Sequence, residues 1–328
     1  MILALRALGV GDLATAVPAL RALRRAHPHH HLTLAAPHWL APLITLIGGI
    51  DHHLHTPGLN PLTYPGPTPD LAVNLHGRGP QSHHLLTTTR PRRLLAYANP
   101  DTNHHDGPHW RDDEHEVDRW CRLLAWYGIP ADRTDLALAR PPLGELPAGA
   151  TIVHPGAKAP QRRWPAGRFA AVARHLTAAG HHVVITGDRA EHGLAGRIAR
   201  LAGLPDDTVL AGKTDLHHLA TLVAHARLLI SGDTGIAHLA TAYHTPSVVL
   251  FGPVSPARWG PPPGRPRHEA LWRGRYRDGR ADGVPHPALA ALDVPDVLAA
   301  VARVEAAARL GRPAAAPVRP REQHLPVA

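Results

Sequence analysis

Short apolar runs recur along the chain, each followed by a turn and then by a stretch whose apolar positions return at helical spacing. Residues 2–5, Ile-Leu-Ala-Leu, read as a buried strand and residues 6–11 as a turn; a helix starts near Asp12, with Leu13, Val17, Leu20 and Leu23 along one face. Pro18 interrupts that stretch and predicts a kink or a restart, because proline removes an intrahelical hydrogen bond. Strand 31–35, helix 39–47, strand 70–75 and helix 114–127 follow. Residues 141–149 are rich in turn formers, lack periodicity and read as a linker. Beyond them the alternation restarts, with strands at 151–154, 182–186, 208–210, 226–230 and 247–251, and helices at 168–179, 191–202 and 216–224. A further short helix opens near Gly235, residues 260–287 predict a loop, 295–310 a terminal helix, and 311–328 a disordered tail. Strands alternating with helices imply parallel sheets covered on both faces. The expected division is one α/β domain at 1–145, a second at 150–290, and a C-terminal helix within 291–310.

At 328 residues the chain can bury two cores of ordinary size. No apolar run reaches bilayer length and the N-terminus lacks a signal-peptide layout, so the expectation is a cytoplasmic protein. The net charge of +9 raises the question of nucleic acid. The arginines are scattered, Lys158 and Lys213 are the only lysines, and aromatic residues make up 4%, which argues against a phosphate-tracking stripe with stacking platforms. A single cysteine, Cys121, excludes an internal disulfide and reads as an indifferent thiol in a helix. The 28 histidines cluster at 27–31, 52–55 and 104–115 without the spacing of a metal site, so they read as solvated loop residues.

The richest chemistry follows the run 226–230: Ser231-Gly-Asp-Thr-Gly-Ile-Ala-His238. Thr234 and Gly235 would open a helix whose amides and positive end can hold a phosphate, and Asp233 offers a carboxylate to sugar hydroxyls; a plain helix cap is the alternative. His238 falls about one turn further on. Gly9-Val-Gly11-Asp12 could start a dinucleotide fingerprint, but the acid expected about 20 residues on is missing from Leu32-Thr-Leu-Ala-Ala-Pro37, which counts against NAD. The same loop could instead admit a second ligand, with Asp12 taking a proton from a hydroxyl or merely capping the helix. Lys158, Arg162 and Arg163 share a loop at the carboxyl end of a strand and could each meet a diphosphate, while Trp164-Pro165 anchors the loop and starts the next helix.

Taken in order, Gly9-Val-Gly-Asp12, Asn74-Leu-His-Gly77, Arg162-Arg-Trp-Pro165, Gly187-Asp-Arg-Ala-Glu191, Gly212-Lys-Thr-Asp-Leu216, Gly232-Asp-Thr-Gly-Ile-Ala-His238 and Pro246-Ser-Val-Val-Leu-Phe-Gly-Pro253 resemble glycosyltransferase family 9, the ADP-heptose:lipopolysaccharide heptosyltransferase family. The match spans most of residues 1–260. The resemblance implies the GT-B architecture, two Rossmann-like domains facing across a cleft, with acceptor on the N-terminal side and nucleotide sugar on the C-terminal side. It implies an inverting, metal-independent transfer, without cofactor, from an ADP-heptose-like donor to a glycan or glycolipid acceptor; the basic surface adds the expectation of an anionic surface at the inner face of the cytoplasmic membrane. By the same resemblance Asp12 is the general base, Glu191 meets the ribose, Leu216 lines the base, Asp233 contacts the sugar, and Thr234, Gly235 and His238 form the phosphate-side loop and helix. Arg162 stands where the family has a phosphate-contacting lysine, and Lys158 and Arg163 are alternatives for that role. Another GT-B activity, a transferase or an epimerase on a different nucleotide sugar, and a non-catalytic nucleotide-sugar-binding protein are the competing readings.

Overall fold

All four residues of β1 (Ile2–Leu5) are apolar and buried, the composition a strand needs when helices cover both of its faces. In the computed structural model, which describes residues 1–274 and 284–310, the chain continues through α1 (Val10–Thr15), α2 (Val17–Ala26), β2 (Leu32–Ala36), α3 (Ala41–Ile47) and β3 (His52–His55). β4 (Leu71–Asn74), α4 (Gln81–Thr87), β5 (Arg93–Leu95) and α5 (Glu116–Trp126) complete the first unit. The second unit runs through β6 (Thr151–His154), α6 (Ala166–Ala178), β7 (Val183–Ile185), α7 (His192–Ala202), α8 (Leu216–Ala224), β8 (Leu228–Gly232) and α9 (Gly235–Tyr243). It ends with β9 (Ser247–Leu250), the short α10 (Pro256–Trp259), β10 (His268–Leu271), α11 (Pro287–Ala290) and α12 (Val294–Leu310). Val297, Val301 and Val304 of α12 enter the second unit's core, where the helix packs on α6, β9 and β10.

Each unit holds a five-stranded sheet, ordered β3-β2-β1-β4-β5 and β10-β9-β8-β6-β7, and every pairing is parallel. The strand order reverses between β1 and β4 in one sheet and between β6 and β8 in the other. Crevices for ligands open at such reversals, beyond the carboxyl ends of the strands. Those ends carry the loops after Leu5, Asn74, His154 and Gly232.

Pro18 marks a restart: α1 stops at Thr15, and Pro18 falls in the first turn of α2, where its missing N–H has no intrahelical partner to lose. Four expectations are corrected. Residues 52–55 form an edge strand rather than a loop, because β2 offers them a parallel edge and Leu54 is buried against the sheet. Residues 81–87 and 93–95 add a helix and an edge strand that went unread. Residues 208–210 supply a single parallel bridge, Val209 to Ile185, after a 3₁₀ turn at Asp206–Thr208. The expected loop 260–287 contains β10 and ends on the first residue of α11; part of it, like the expected tail 311–328, lies outside the described residues.

Several histidines are likewise structural rather than solvated. His53 Nε2 lies 3.0 Å from the Ala36 carbonyl, and His115 Nε2 lies 3.0 Å from the Gly260 carbonyl in the other unit. His104 packs edge-on against the buried His83 at 5.4 Å. Burial holds His53, His83 and His104 below the ordinary imidazole range. The Cys121 thiol is half-buried in α5 and pushed up to about 12 by that burial, which makes it an unreactive thiol.

The two units join through a shared apolar core, with Leu13, Val17, Leu43 and Ile44 on one side and Ala220, Val223, Ile236 and Leu239 on the other. α1 packs on α9 and α3 on α8. The α1–α9 contact needs two glycines. A Cβ on Gly11 would lie 2.8 Å from His238 Cδ2, and one on Gly235 would lie 2.7 Å from Val10 Cβ. Gly235→Ala is therefore expected to cost about 1–3 kcal/mol through overpacking. Urea unfolding reads the effect; an unchanged midpoint would contradict the contact.

Candidate active site

The carboxyl-end loops of both sheets converge on one cleft of about 1050 Å³ between the units. From the first unit come Gly9 to Asp12 and Trp39; from the second come the loop after β6, the turn before α7, the N-terminus of α8 and the β8–α9 loop. Asp12, Lys158, Arg162, Glu191, Leu216, Asp233, Thr234, Gly235 and His238 all line it. Arg163 does not: its Nε donates to the Ala157 carbonyl at 2.9 Å and pins the loop that carries Lys158. A second open hollow, about 570 Å³, lies where β1 and β2 begin, among imidazoles, Tyr64 and prolines. It sits at the amino ends of the strands, opposite the carboxyl ends where ligands bind in such sheets, so the inter-unit cleft is the candidate site.

Asp12 is the third residue of α1, not its cap. Gly9 occupies the cap position, and its N–H donates to Asp12 Oδ2 at 3.0 Å. The turn thus fixes one carboxylate oxygen and leaves the side chain 30% exposed at the cleft. Across the cleft, Thr234 caps α9 in extended conformation and makes no side-chain capping bond. Its Oγ1 is enclosed and has no hydrogen-bond partner among the described residues. A buried hydroxyl without a partner is costly, and here it stands beside the amides and positive end of a nine-residue helix.

Asp233 is buried, and burial raises its carboxyl to about 6, although Arg162 Nη1, 3.6 Å away, pulls the other way. His238 stands at the contact of the two units, 5.9 Å edge-on from Trp259. Burial lowers it to about 4 against the attraction of Asp12, so at neutral pH it is an uncharged imidazole that can donate one N–H. His154, lowered to about 4 by burial, lies 2.9 Å from Thr186 Oγ1.

Glu191 and Asp188 hold each other's backbone: Asp188 N–H donates to Glu191 Oε2 at 3.0 Å and Glu191 N–H to Asp188 Oδ1 at 2.9 Å. A Cβ on Gly156 would strike the Glu191 carboxylate at 2.1 Å, so a glycine there is what lets Glu191 enter the cleft. Leu216 opens α8 behind Asp215, whose carboxylate accepts from the His218 N–H at 2.8 Å. Trp164 secures the basic loop from behind, 2% exposed, with its indole N–H on the Leu292 carbonyl at 3.1 Å. Pro165 stands one residue ahead of α6.

Sequence reasoning missed Trp39, Trp259, His154 and Asp188 as cleft residues. Trp39 is 54% exposed, an unusual state for so large a ring, but a lone tryptophan carries no periodic signal. Among the described residues no three His, Cys, Asp or Glu side chains come together as a metal site, and no helix is long and apolar enough to cross a membrane.

Two Rossmann-type units facing across a cleft, with a helix N-terminus on one wall and a carboxylate on the other, define a GT-B protein. The particular family follows from the sequence: residues 104–278 match glycosyltransferase family 9 (heptosyltransferase), and the chain belongs to that family. It is 33% identical over 129 residues to lipopolysaccharide heptosyltransferase 3 of Escherichia coli, covering 39% of this chain and 37% of that one. Against lipopolysaccharide heptosyltransferase 1 of Pseudomonas aeruginosa it is 33% identical over 154 residues, 45% of this chain and 42% of that one. The aligned stretches therefore span about two-fifths of the curated relatives' length. The solved structure of E. coli ADP-heptose lps heptosyltransferase II shares the fold at 20% identity, with a TM-score of 0.72 over 94% of this chain and 99% of that one.

Proposed function

We propose that this protein is an inverting glycosyltransferase that moves a heptose from ADP-heptose to a hydroxyl of a lipopolysaccharide-type glycolipid at the inner face of the cytoplasmic membrane. The observation that carries the reading is the unpartnered Thr234 hydroxyl at the start of α9, next in sequence to Asp233 of the Asp233–Arg162 pair and lining the same cleft as Asp12. In this reading the diphosphate lies on the Thr234–Gly235 turn, the ribose on Glu191 and the adenine against Leu216. Asp233, kept from water, accepts hydroxyls of the sugar.

The acceptor oxygen attacks the anomeric carbon from the Asp12 side. Its proton passes to Asp12, the bond from the anomeric carbon to the diphosphate oxygen breaks, and the electron pair leaves on ADP. Attack and departure on opposite faces invert the centre. The growing charge on ADP meets Arg162, Lys158, the Thr234 hydroxyl and the α9 dipole, a preorganised set that needs no divalent ion. His238, neutral, contributes a hydrogen bond rather than a charge.

Arg162→Ala is expected to weaken ADP binding by about 1.5–3 kcal/mol, roughly 10- to 150-fold, the worth of a hydrogen bond to a charged group. Isothermal titration with ADP measures it; an unchanged Kd would move the phosphate role to Lys158. The reading as a whole is tested by thermal shift against ADP, UDP, GDP and NAD. A ligand at 100 times its Kd stabilises by about 2.7 kcal/mol. Selective stabilisation by ADP supports the assignment, and preference for another nucleotide would overturn the donor.

A further inference from the structure

Behind Asp12, away from the cleft, lies a buried charge network that the proposed reaction does not use. Arg6, at the carboxyl end of β1, is completely buried. Its guanidinium stacks 4.6 Å from the centre of the Trp120 ring, and every side of its fork is engaged. Nε donates to the Asp12 carbonyl at 2.9 Å, Nη1 to the Leu75 carbonyl just beyond β4, and Nη2 to Thr15 Oγ1 at 3.3 Å and Glu116 Oε1 at 3.1 Å. The same Nη2 stands 3.6 Å from Asp12 Oδ1.

The charges do not balance without Asp12. Glu116, 8% exposed, is shared by two fully buried arginines: Arg119 Nε reaches its Oε2 at 3.0 Å, and the Trp120 indole N–H occupies Oε1 at 3.0 Å. The other hydrogen-bond acceptors of Arg119 are the Arg111 and Glu114 carbonyls, and its guanidinium lies 3.9 Å from the centre of the Trp110 ring. One carboxylate thus faces two cations, and among the described residues the second carboxylate within ion-pair distance of Arg6 is Asp12. A guanidinium fully shielded from bulk solvent holds that carboxylate strongly.

We infer that Arg6 is a positioning residue for the proposed base, an inference that rests on the transferase reading. Gly9 N–H fixes Asp12 Oδ2 while Arg6 fixes both the main chain of Asp12 and the side of its Oδ1. Two of the carboxylate's directions are occupied by the protein, and the side chain stays 30% exposed at the cleft, where in the proposed reading the acceptor hydroxyl arrives. The bond from Arg6 to the Leu75 carbonyl ties this arrangement to the far side of the β1/β4 crevice. Glu116, 110 positions away on α5, sets the guanidinium in turn.

The test compares Arg6→Met and Arg6→Lys with the unaltered protein, following ADP release from ADP-heptose with lipopolysaccharide stripped of its heptose as acceptor, alongside ADP titration. Arg6→Met is expected to lower kcat about 100-fold, the effect of roughly 1 Å of misplacement at the reacting centre, with KM for ADP-heptose and Kd for ADP within about twofold. Arg6→Lys keeps the charge but not the fork, so it recovers part of the loss. A kcat for Arg6→Met within about threefold of the unaltered value, or ADP affinity falling in step with kcat, would overturn the inference. Crystal structures of the unaltered protein and Arg6→Lys give a readout that needs no turnover: Asp12 is expected to leave the Gly9 N–H in the variant, and an unmoved carboxylate would also overturn it. Absence of ADP release from the unaltered protein would refute the transferase reading, while the crystallographic comparison still decides the role of Arg6.

Discussion

Asp12→Asn is expected to slow sugar transfer by about 10²–10⁴-fold, the range of a positioned general base, while leaving ADP affinity within about twofold. The split follows from the two walls of the cleft. Asp12 belongs to the first unit, whereas the residues assigned to the nucleotide, Arg162, Glu191, Leu216 and the Thr234–Gly235 turn, all belong to the second. The asparagine oxygen can still accept from Gly9 N–H, so the α1 turn persists. What is lost is a group able to take the acceptor proton, together with the second carboxylate beside Arg6. ADP release with acceptor present, together with ADP titration, separates the two effects; a variant that turns over normally removes Asp12 as the base.

The second large effect is a trade of stability for activity at Asp233. Its carboxyl is raised from the ordinary 3.8 to about 6, chiefly by burial. A folded-state value above the unfolded one means that the native protein binds the proton more tightly. Asp233 therefore costs no stability below about pH 4, and the penalty grows between about pH 4 and pH 6 as the buried charge forms. A rise of that size corresponds to about 3 kcal/mol at pH 8 and to roughly half that at pH 5. Asp233→Asn should raise stability by up to that amount at pH 8, less at pH 5, because Arg162 is 38% exposed and remains solvated when its partner is gone. In the proposed reading the same variant should transfer sugar poorly, since the charged acceptor proposed for the sugar hydroxyls has been removed. Urea unfolding at the two pH values decides the matter; a variant less stable than the parent at pH 8 would contradict the burial argument.

The legible elements are those the hydrophobic effect dictates locally. β1, β6, β8 and β9 are largely buried and are built around short apolar cores; α2 and α5 carry a clear apolar face. The illegible ones draw on distant partners. β3 reads His-His-Leu-His and becomes a strand because β2 offers it an edge, not because its own residues demand burial. Val209 pairs with Ile185 at a single position, too little for a strand.

The cleft divides in the same way. The Asp233–His238 loop stands out because small and acidic residues between a strand and a helix have few structural uses. The basic loop left three candidates open, and the fold separates them: Arg163 is tied to the Ala157 carbonyl, while Lys158 and Arg162 face the cavity. The purpose of Gly11 was not legible, since it admits His238 from a helix more than two hundred residues away. Arg6 was invisible for the same reason, being one scattered arginine until Glu116 and Asp12 are brought to its two sides.

The measurement that tests the central claim most directly is ADP release from ADP-heptose by the unaltered protein, with heptose-stripped lipopolysaccharide as acceptor and EDTA in the buffer. The account predicts acceptor-dependent release of ADP, matched one for one by heptose gained by the acceptor and undiminished by the chelator. No transfer from ADP-heptose, or transfer that EDTA abolishes, would contradict it.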